Sequence, residues 1–154
     1  MTAVFLRSLC ILAPLFASAL PAAAQVNLAS QQASRQLADK GATALADGDA
    51  IGAKRLLEEA VVADPANAHA LAMLGRYYQT QNKRDVARKY YDFALDVEPT
   101  EPDALLGSGK LDIAEGKTGD ARDKLRKLRL ICATCPQTGA LAAALNSTSP
   151  ANHP

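Results

Sequence analysis

The sequence predicts an all-α fold, organised as a helix-turn-helix repeat solenoid with a C-terminal capping helix. The 154-residue chain is rich in Ala and Leu, has only 5% aromatic residues and lacks Trp, a composition that favours helices over sheets. Residue types recur with a spacing of 34 along the chain, which is typical of repeat architectures. Each recurring unit has the pattern of two amphipathic helices separated by a short polar turn.

The N-terminal segment, Met1–Ala24, has the features of a secretory signal peptide. Arg7 supplies a positive charge, an apolar run follows from Leu9 to Leu20, and Ala22–Ala24 supply the small residues that a signal peptidase accepts. The run is shorter than the ~20 residues that span a bilayer. We therefore expect cleavage near Ala24 and a periplasmic or secreted chain, in an oxidising compartment.

The repeats are expected over residues 34–135, after a polar lead-in at 25–33. The three units are 34–67, 68–101 and 102–135. Positions of the same type in the first two units are Gly41 and Gly75, Ala53 and Ala87, Leu57 and Tyr91, Ala60 and Ala94, and Pro65 and Pro99.

Small residues in each unit have a packing role. Gly41, Gly75 and Gly109 lie where the first helix of a unit meets the second, so that two helices can approach closely. The turns centre on Gly48, Asn82 and Gly116, residue types that tolerate the left-handed backbone at a helix end. Prolines then stop the second helices of the first two units.

The third unit is degenerate, and a terminal helix follows it. Ser108 and Asp112 stand where large apolar and aromatic residues are expected, and the closing proline is missing. Pro136 opens a helix over 136–145, which we expect to cover the exposed edge of the last repeat. Residues 146–154 are expected to form a disordered tail.

This pattern resembles the tetratricopeptide repeat. The resemblance covers residues 34 to about 133 and is strongest in the second unit. Its signature there comprises Leu71, Leu74, Gly75, Tyr78, Ala87, Tyr91, Ala94 and Pro99.

The resemblance implies an adaptor that binds a segment of another protein in a concave groove lined by the first helices of the units. The implied floor is small and apolar, with three positive charges, one negative charge and one His, and suits a segment with apolar anchors and a carboxylate. The implied groove residues are Arg35, Ala38, Ala42, Leu45, His69, Ala72, Arg76, Gln79, Asp103, Leu106, Lys110 and Ile113.

Cys132 and Cys135 are the chain's only pair of closely spaced thiols. In an oxidising compartment this spacing favours a disulfide near a helix end. The alternative function is a thiol redox or haem-handling helper in envelope protein assembly, acting through these two residues. Against it, no strand precedes the pair, and Pro136 stands where haem attachment requires His.

Other classes of function have weaker support. A net charge of +1 gives no general attraction to nucleic acid. A basic stretch over 117–129 could meet acidic lipid, although a solvated outer helix face explains it more simply. No segment after the leader is apolar enough to anchor the chain in a membrane. We expect no enzyme activity and no cofactor, because the sequence has no Gly-rich phosphate loop and no nucleophile elbow. We expect no metal site at the cysteines, because neither His69 nor His153 is close to them in sequence.

Overall fold

The structure is a computed structural model that describes residues 22–148. Within this range the chain forms seven α-helices and no strands. None of these helices combines the length and the apolar character that crossing a bilayer requires. The helices are α1 Ala22–Ala46, α2 Ala50–Ala63, α3 Ala68–Thr80, α4 Arg84–Val97, α5 Pro102–Ala114, α6 Thr118–Ile131 and α7 Pro136–Thr148.

The helices form two layers. An inner layer consists of α1, α3, α5 and α7, each packed on the next. The outer helices α2, α4 and α6 each pack on the two inner helices that precede and follow them in the chain. The predicted all-α solenoid is therefore confirmed, and α7 stands where the first helix of another unit would stand.

Local sequence signals set the helix ends. Asp49 caps α2 by accepting a hydrogen bond from the Gly52 amide, at 2.9 Å, and Asn67 caps α3 in the same way. The predicted left-handed turn residues are confirmed, since Gly48 has φ 85°, Asn82 has φ 59° and Gly116 has φ 77°.

The glycines on the inner helices allow close packing. A Cβ atom at Gly41 would lie 2.7 Å from Leu57, and one at Gly75 would lie 2.6 Å from Tyr91. Both contacts join the first and second helices of a unit, as the sequence predicts. The same prediction is wrong for Gly109, because the nearest neighbour of a Cβ atom there is Leu141 of α7 rather than a residue of α6. The last helix thus enters the core of the third unit.

Buried polar groups replace apolar contacts in the third unit. Asp112 of α5 has only 3% of its side chain exposed. Its carboxylate accepts hydrogen bonds from Arg88 of α4, at 2.7 Å, and from Lys124 of α6, at 2.6 Å. Arg88 also donates to the buried Ser108 hydroxyl, at 3.2 Å. A polar and charged network therefore joins α4, α5 and α6. It includes Ser108 and Asp112, the two positions at which the third unit departs from the repeat pattern.

Two predicted segment bounds need correction. Residues 25–33, expected as a lead-in, lie inside α1, because they contain no Pro or Gly to stop a helix. Residues 146–148, expected in the tail, end α7. There the hydroxyls of Ser147 and Thr148 donate to the Ala144 carbonyl, at 2.8 and 3.4 Å. Two further predicted segments lie outside the described residues: positions 1–21 of the signal peptide and positions 149–154 of the tail. The last three residues of the predicted signal peptide, Ala22–Ala24, begin α1.

Candidate functional site

A cavity of about 500 Å³ opens between the inner helices α3, α5 and α7. Its size is in the range of ligand-binding clefts. Its walls combine positive charge, one carboxylate, amide groups and apolar surface. The lining residues are Arg76, Gln79, Thr80, Tyr91, Asp103, Leu106, Gly107, Lys110, Pro136, Gln137 and Ala140.

Two cations line this cavity. Arg76 of α3 and Lys110 of α5 are 34 positions apart, and both are exposed to solvent. Within residues 22–148, neither side chain takes part in an ion pair. Their charge is therefore available to an anionic group that enters the cavity.

The apolar part of the cavity depends on Tyr91. This side chain is 1% exposed, and its hydroxyl donates a hydrogen bond to the Gln79 Oε1 atom at 2.6 Å. Burial raises the pKa of Tyr91, so the hydroxyl stays protonated and remains a donor. Gly107 leaves room for the ring, because a Cβ atom there would clash with it. Leu106, half-buried, extends the apolar surface.

Five of the twelve implied groove residues line the cavity: Arg76, Gln79, Asp103, Leu106 and Lys110.

The other implied groove residues lie elsewhere. Ala38 and Ala72 are fully buried, which corrects their assignment to the groove surface. Their small side chains let neighbouring helices pack closely, and that packing excludes a partner. Ala42 and Ile113 pack against buried core side chains. Arg35 is exposed and Leu45 is half-buried, but neither lines this cavity.

His69 lies at the contact between successive inner helices. Its Nδ1 atom is 3.6 Å from Glu101 Oε1 and 3.8 Å from Asp103 Oδ2, and its Nε2 atom is 4.0 Å from Asp39 Oδ1. The Glu101 carboxylate raises the pKa of His69, while partial burial opposes the increase. No sequence pattern connects His69 with Glu101.

The contribution of α7 to the cavity was missed from the sequence. Pro136, Gln137 and Ala140 form one wall, although α7 was expected only to cover the last repeat. Gln137 donates a hydrogen bond to Asp103 Oδ1 at 3.1 Å. These two residues are 34 positions apart, as are His69 and Asp103. The repeat period, continued past the third unit, could have predicted this contact.

The basic stretch on α6 is partly neutralised. Lys117 contacts Glu115 at 2.8 Å, Lys124 contacts Asp112 at 2.6 Å and Arg126 contacts Asp123 at 2.6 Å. Hydrogen bonds from Lys117 and Arg88 lower the pKa of Glu115 to about 2. The surface is therefore mixed in charge, which weakens the expectation of a lipid-binding face. The exposed cations outside these pairs are Arg122, Lys127 and Arg129.

The two cysteines close the corner between α6 and α7. Cys132 follows the last residue of α6 and Cys135 precedes Pro136, with their Cα atoms 5.4 Å apart. This separation lies in the range that a disulfide requires. The hydroxyl of Thr138 in α7 donates a hydrogen bond to the Cys132 carbonyl at 2.7 Å, which links the start of α7 to the end of α6.

Comparison with curated proteins gives partial matches, and no protein-family profile matches the chain. Cellulose synthase operon protein C of Xanthomonas axonopodis pv. citri (strain 306) is 33% identical over 99 residues, which cover 60% of this chain and 6% of that protein. Anaphase-promoting complex subunit 7 of Arabidopsis thaliana is 36% identical over 70 residues, which cover 45% of this chain and 12% of that protein. The chain thus spans a small part of each relative.

Solved structures with the same fold include several TPR domains. A Pseudomonas aeruginosa pilF structure superposes with a TM-score of 0.69 at 22% identity, covering 79% of this chain and 54% of that one. The first TPR of RPAP3 bound to the HSP90 peptide SRMEEVD superposes with a TM-score of 0.63 at 17% identity, covering 76% of this chain and 93% of that one. The Yersinia enterocolitica chaperone SycD with a peptide of the translocator YopD superposes with a TM-score of 0.58 at 18% identity, covering 74% of this chain and 87% of that one.

Proposed function

Because the chain has the tetratricopeptide-repeat fold, we propose that it is a protein-interaction adaptor that holds a segment of a partner protein in the cavity between α3, α5 and α7. Its action is the presentation of a preformed surface, with no chemical step. Two neighbours of similar fold, RPAP3 and SycD, were solved with peptides bound, which supports a segment as the ligand.

One observation carries this proposal. Arg76 and Lys110, both without an ion-pair partner in the described part of the chain, stand beside the apolar surface of Leu106 and Ala140. A partner segment with a carboxylate and a short apolar side chain complements this arrangement. A segment is favoured over a small metabolite because two neighbours of similar fold hold peptides.

Charge reversal in the cavity tests the proposal. We expect the Arg76→Glu, Lys110→Glu variant to lose at least ~10-fold in affinity for peptides selected by the wild-type chain, since each charge-assisted hydrogen bond contributes about 1.5–3 kcal/mol. The selection uses a library of carboxylate-terminated peptides, and affinities are measured by fluorescence anisotropy. Amidated copies of the selected peptides should also bind more weakly.

A matched variant controls for the general effect of charge. Arg122→Glu, Lys127→Glu also reverses two exposed cations, but on α6 and away from the cavity. It should bind the selected peptides as the wild type does. Equal binding by the cavity variant and the wild type would place the site elsewhere and refute the proposal. Circular dichroism of both variants verifies that they fold.

Export and a structural disulfide complete the proposed function. The leader-like segment Met1–Ala24 supports export, and mass spectrometry of the chain recovered from its source would give the mature N-terminus. The proximity of Cys132 and Cys135 supports a disulfide that fixes the position of α7, which forms one wall of the cavity.

Replacing both cysteines separates a structural role from the redox alternative. We expect Cys132→Ser, Cys135→Ser to lower the free energy of unfolding by about 2 kcal/mol, the entropic value for so short a loop, and to keep peptide affinity within about twofold. A structural bridge should have a reduction potential below about −300 mV. A potential near about −200 mV would instead favour the thiol redox helper.

A further inference from the structure

Three side chains of different segments converge beside the cavity, at the contact between α3 and α5. They are His69 of α3, Glu101 just before α5 and Asp103 of α5, and one nitrogen or oxygen atom of each lies within 4.8 Å of the others. The two carboxylates are largely shielded from solvent, with 12% and 20% of their side chains exposed. The group is thus a partly enclosed set of one imidazole and two carboxylates.

The charge of this group is not balanced by the described part of the chain. Between residues 22 and 148, Glu101 and Asp103 have no Lys or Arg ion-pair partner, and each is ion-paired only with the imidazole of His69. Asp39, which also lies near His69, is 78% exposed and therefore solvated. One imidazole cannot neutralise the two shielded carboxylates. A bound cation would compensate the excess negative charge.

The spacing of the donor atoms suits a small divalent ion. Ligand atoms on a tetrahedral ion with bonds of ~2.0 Å lie about 3.3 Å from each other. The Nδ1 atom of His69 is 3.6 Å from Glu101 and 3.8 Å from Asp103, within a few tenths of an ångström of this value. The three donor atoms all lie within 4.8 Å of one another, so side-chain adjustments would close the site. We propose that His69, Glu101 and Asp103 bind a divalent transition-metal ion of the Zn²⁺ type, with water at the open position.

The donor set also decides the class of ion. An imidazole nitrogen favours Zn²⁺ and its neighbours, which also accept carboxylates, whereas Ca²⁺ takes six to eight oxygen ligands and Mg²⁺ needs octahedral oxygens. This chain supplies two carboxylates here, too few for a calcium site. The inference goes beyond the proposed adaptor function, because the site needs no partner protein.

Neighbouring groups hold the ligands in place. Glu101 caps α5 by accepting a hydrogen bond from the Asp103 amide, at 3.3 Å. Gln137 of α7 donates to Asp103 Oδ1 at 3.1 Å and leaves Oδ2 directed at His69. Asp39 of α1 lies on the other side of the imidazole, 4.0 Å from Nε2 of His69. The ion would thus join the second and third repeats at the edge of the cavity.

Calorimetric titration of the full chain with Zn²⁺ tests this inference. After treatment with EDTA, we expect one Zn²⁺ per chain, competition by Co²⁺ and none by millimolar Ca²⁺ or Mg²⁺. His69→Ala and Asp103→Asn should each weaken binding by more than about tenfold, because each removes a ligand. Zn²⁺ should also raise the melting temperature of the wild type and not of the His69→Ala variant.

Control variants exclude other zinc ligands. His153→Ala and Cys132→Ser, Cys135→Ser should bind Zn²⁺ as the wild type does. The ¹⁵N signals of His69 should shift at Nδ1 on binding, a change that a purely structural effect of the substitutions would not cause. Failure of the wild type to bind Zn²⁺, or equal binding by His69→Ala, would overturn the site while leaving the peptide-binding result unaffected.

Discussion

Asp112→Ala is expected to lower the free energy of unfolding by about 3–5 kcal/mol, the range for removing one partner of a buried ion pair. The substitution leaves Lys124 without its carboxylate partner and leaves Arg88 paired with Glu115 alone. Ser108 cannot replace it, because a hydroxyl carries no charge. Urea unfolding followed by circular dichroism measures the loss.

Two further variants make this prediction specific. Asp123→Ala removes an exposed carboxylate, paired with Arg126 at 2.6 Å, and should cost no more than about 1 kcal/mol. Asp112→Asn keeps the shape of the side chain and some of its hydrogen bonds, so its cost should be intermediate. A loss at Asp112→Ala as small as that at Asp123→Ala would contradict a stabilising role for the network.

Gly107→Ala is expected to destabilise the chain by about 1–3 kcal/mol through overpacking. A Cβ atom at this position would overlap the Tyr91 ring, which is fully buried and held by its hydrogen bond to Gln79. The ring cannot move without breaking that hydrogen bond. Because Tyr91 lines the cavity, affinity for the selected peptides should fall as well.

Gly139→Ala is the matched control for this substitution. Gly139 lies inside α7, and no atom lies within 4 Å of a Cβ atom built there. Alanine should therefore stabilise the chain by about 0.5–1 kcal/mol through its higher helix propensity. If both variants changed stability in the same direction, contact with Tyr91 would not be the reason that position 107 requires glycine.

The sequence determined the fold to a large extent because its signals are local. Turn residues such as Gly48, Asn82 and Gly116 need only their own backbone conformation, and capping residues act within one helical turn. The period of 34 then specified which helices are neighbours. Together these features predicted the helix pairs and the terminal helix, but they misplaced the ends of α1 and α7.

Tertiary structure alone decided which side chains reach the cavity. The rotation of each helix about its axis depends on the complete set of packing contacts, so Ala72 was assigned to the groove although α3 turns it into the core. The same long-range packing brings α7 beside Lys110, encloses Asp112 between two cations and sets Glu101 against His69. A sequence period specifies neighbouring helices, whereas packing in three dimensions determines which atoms meet.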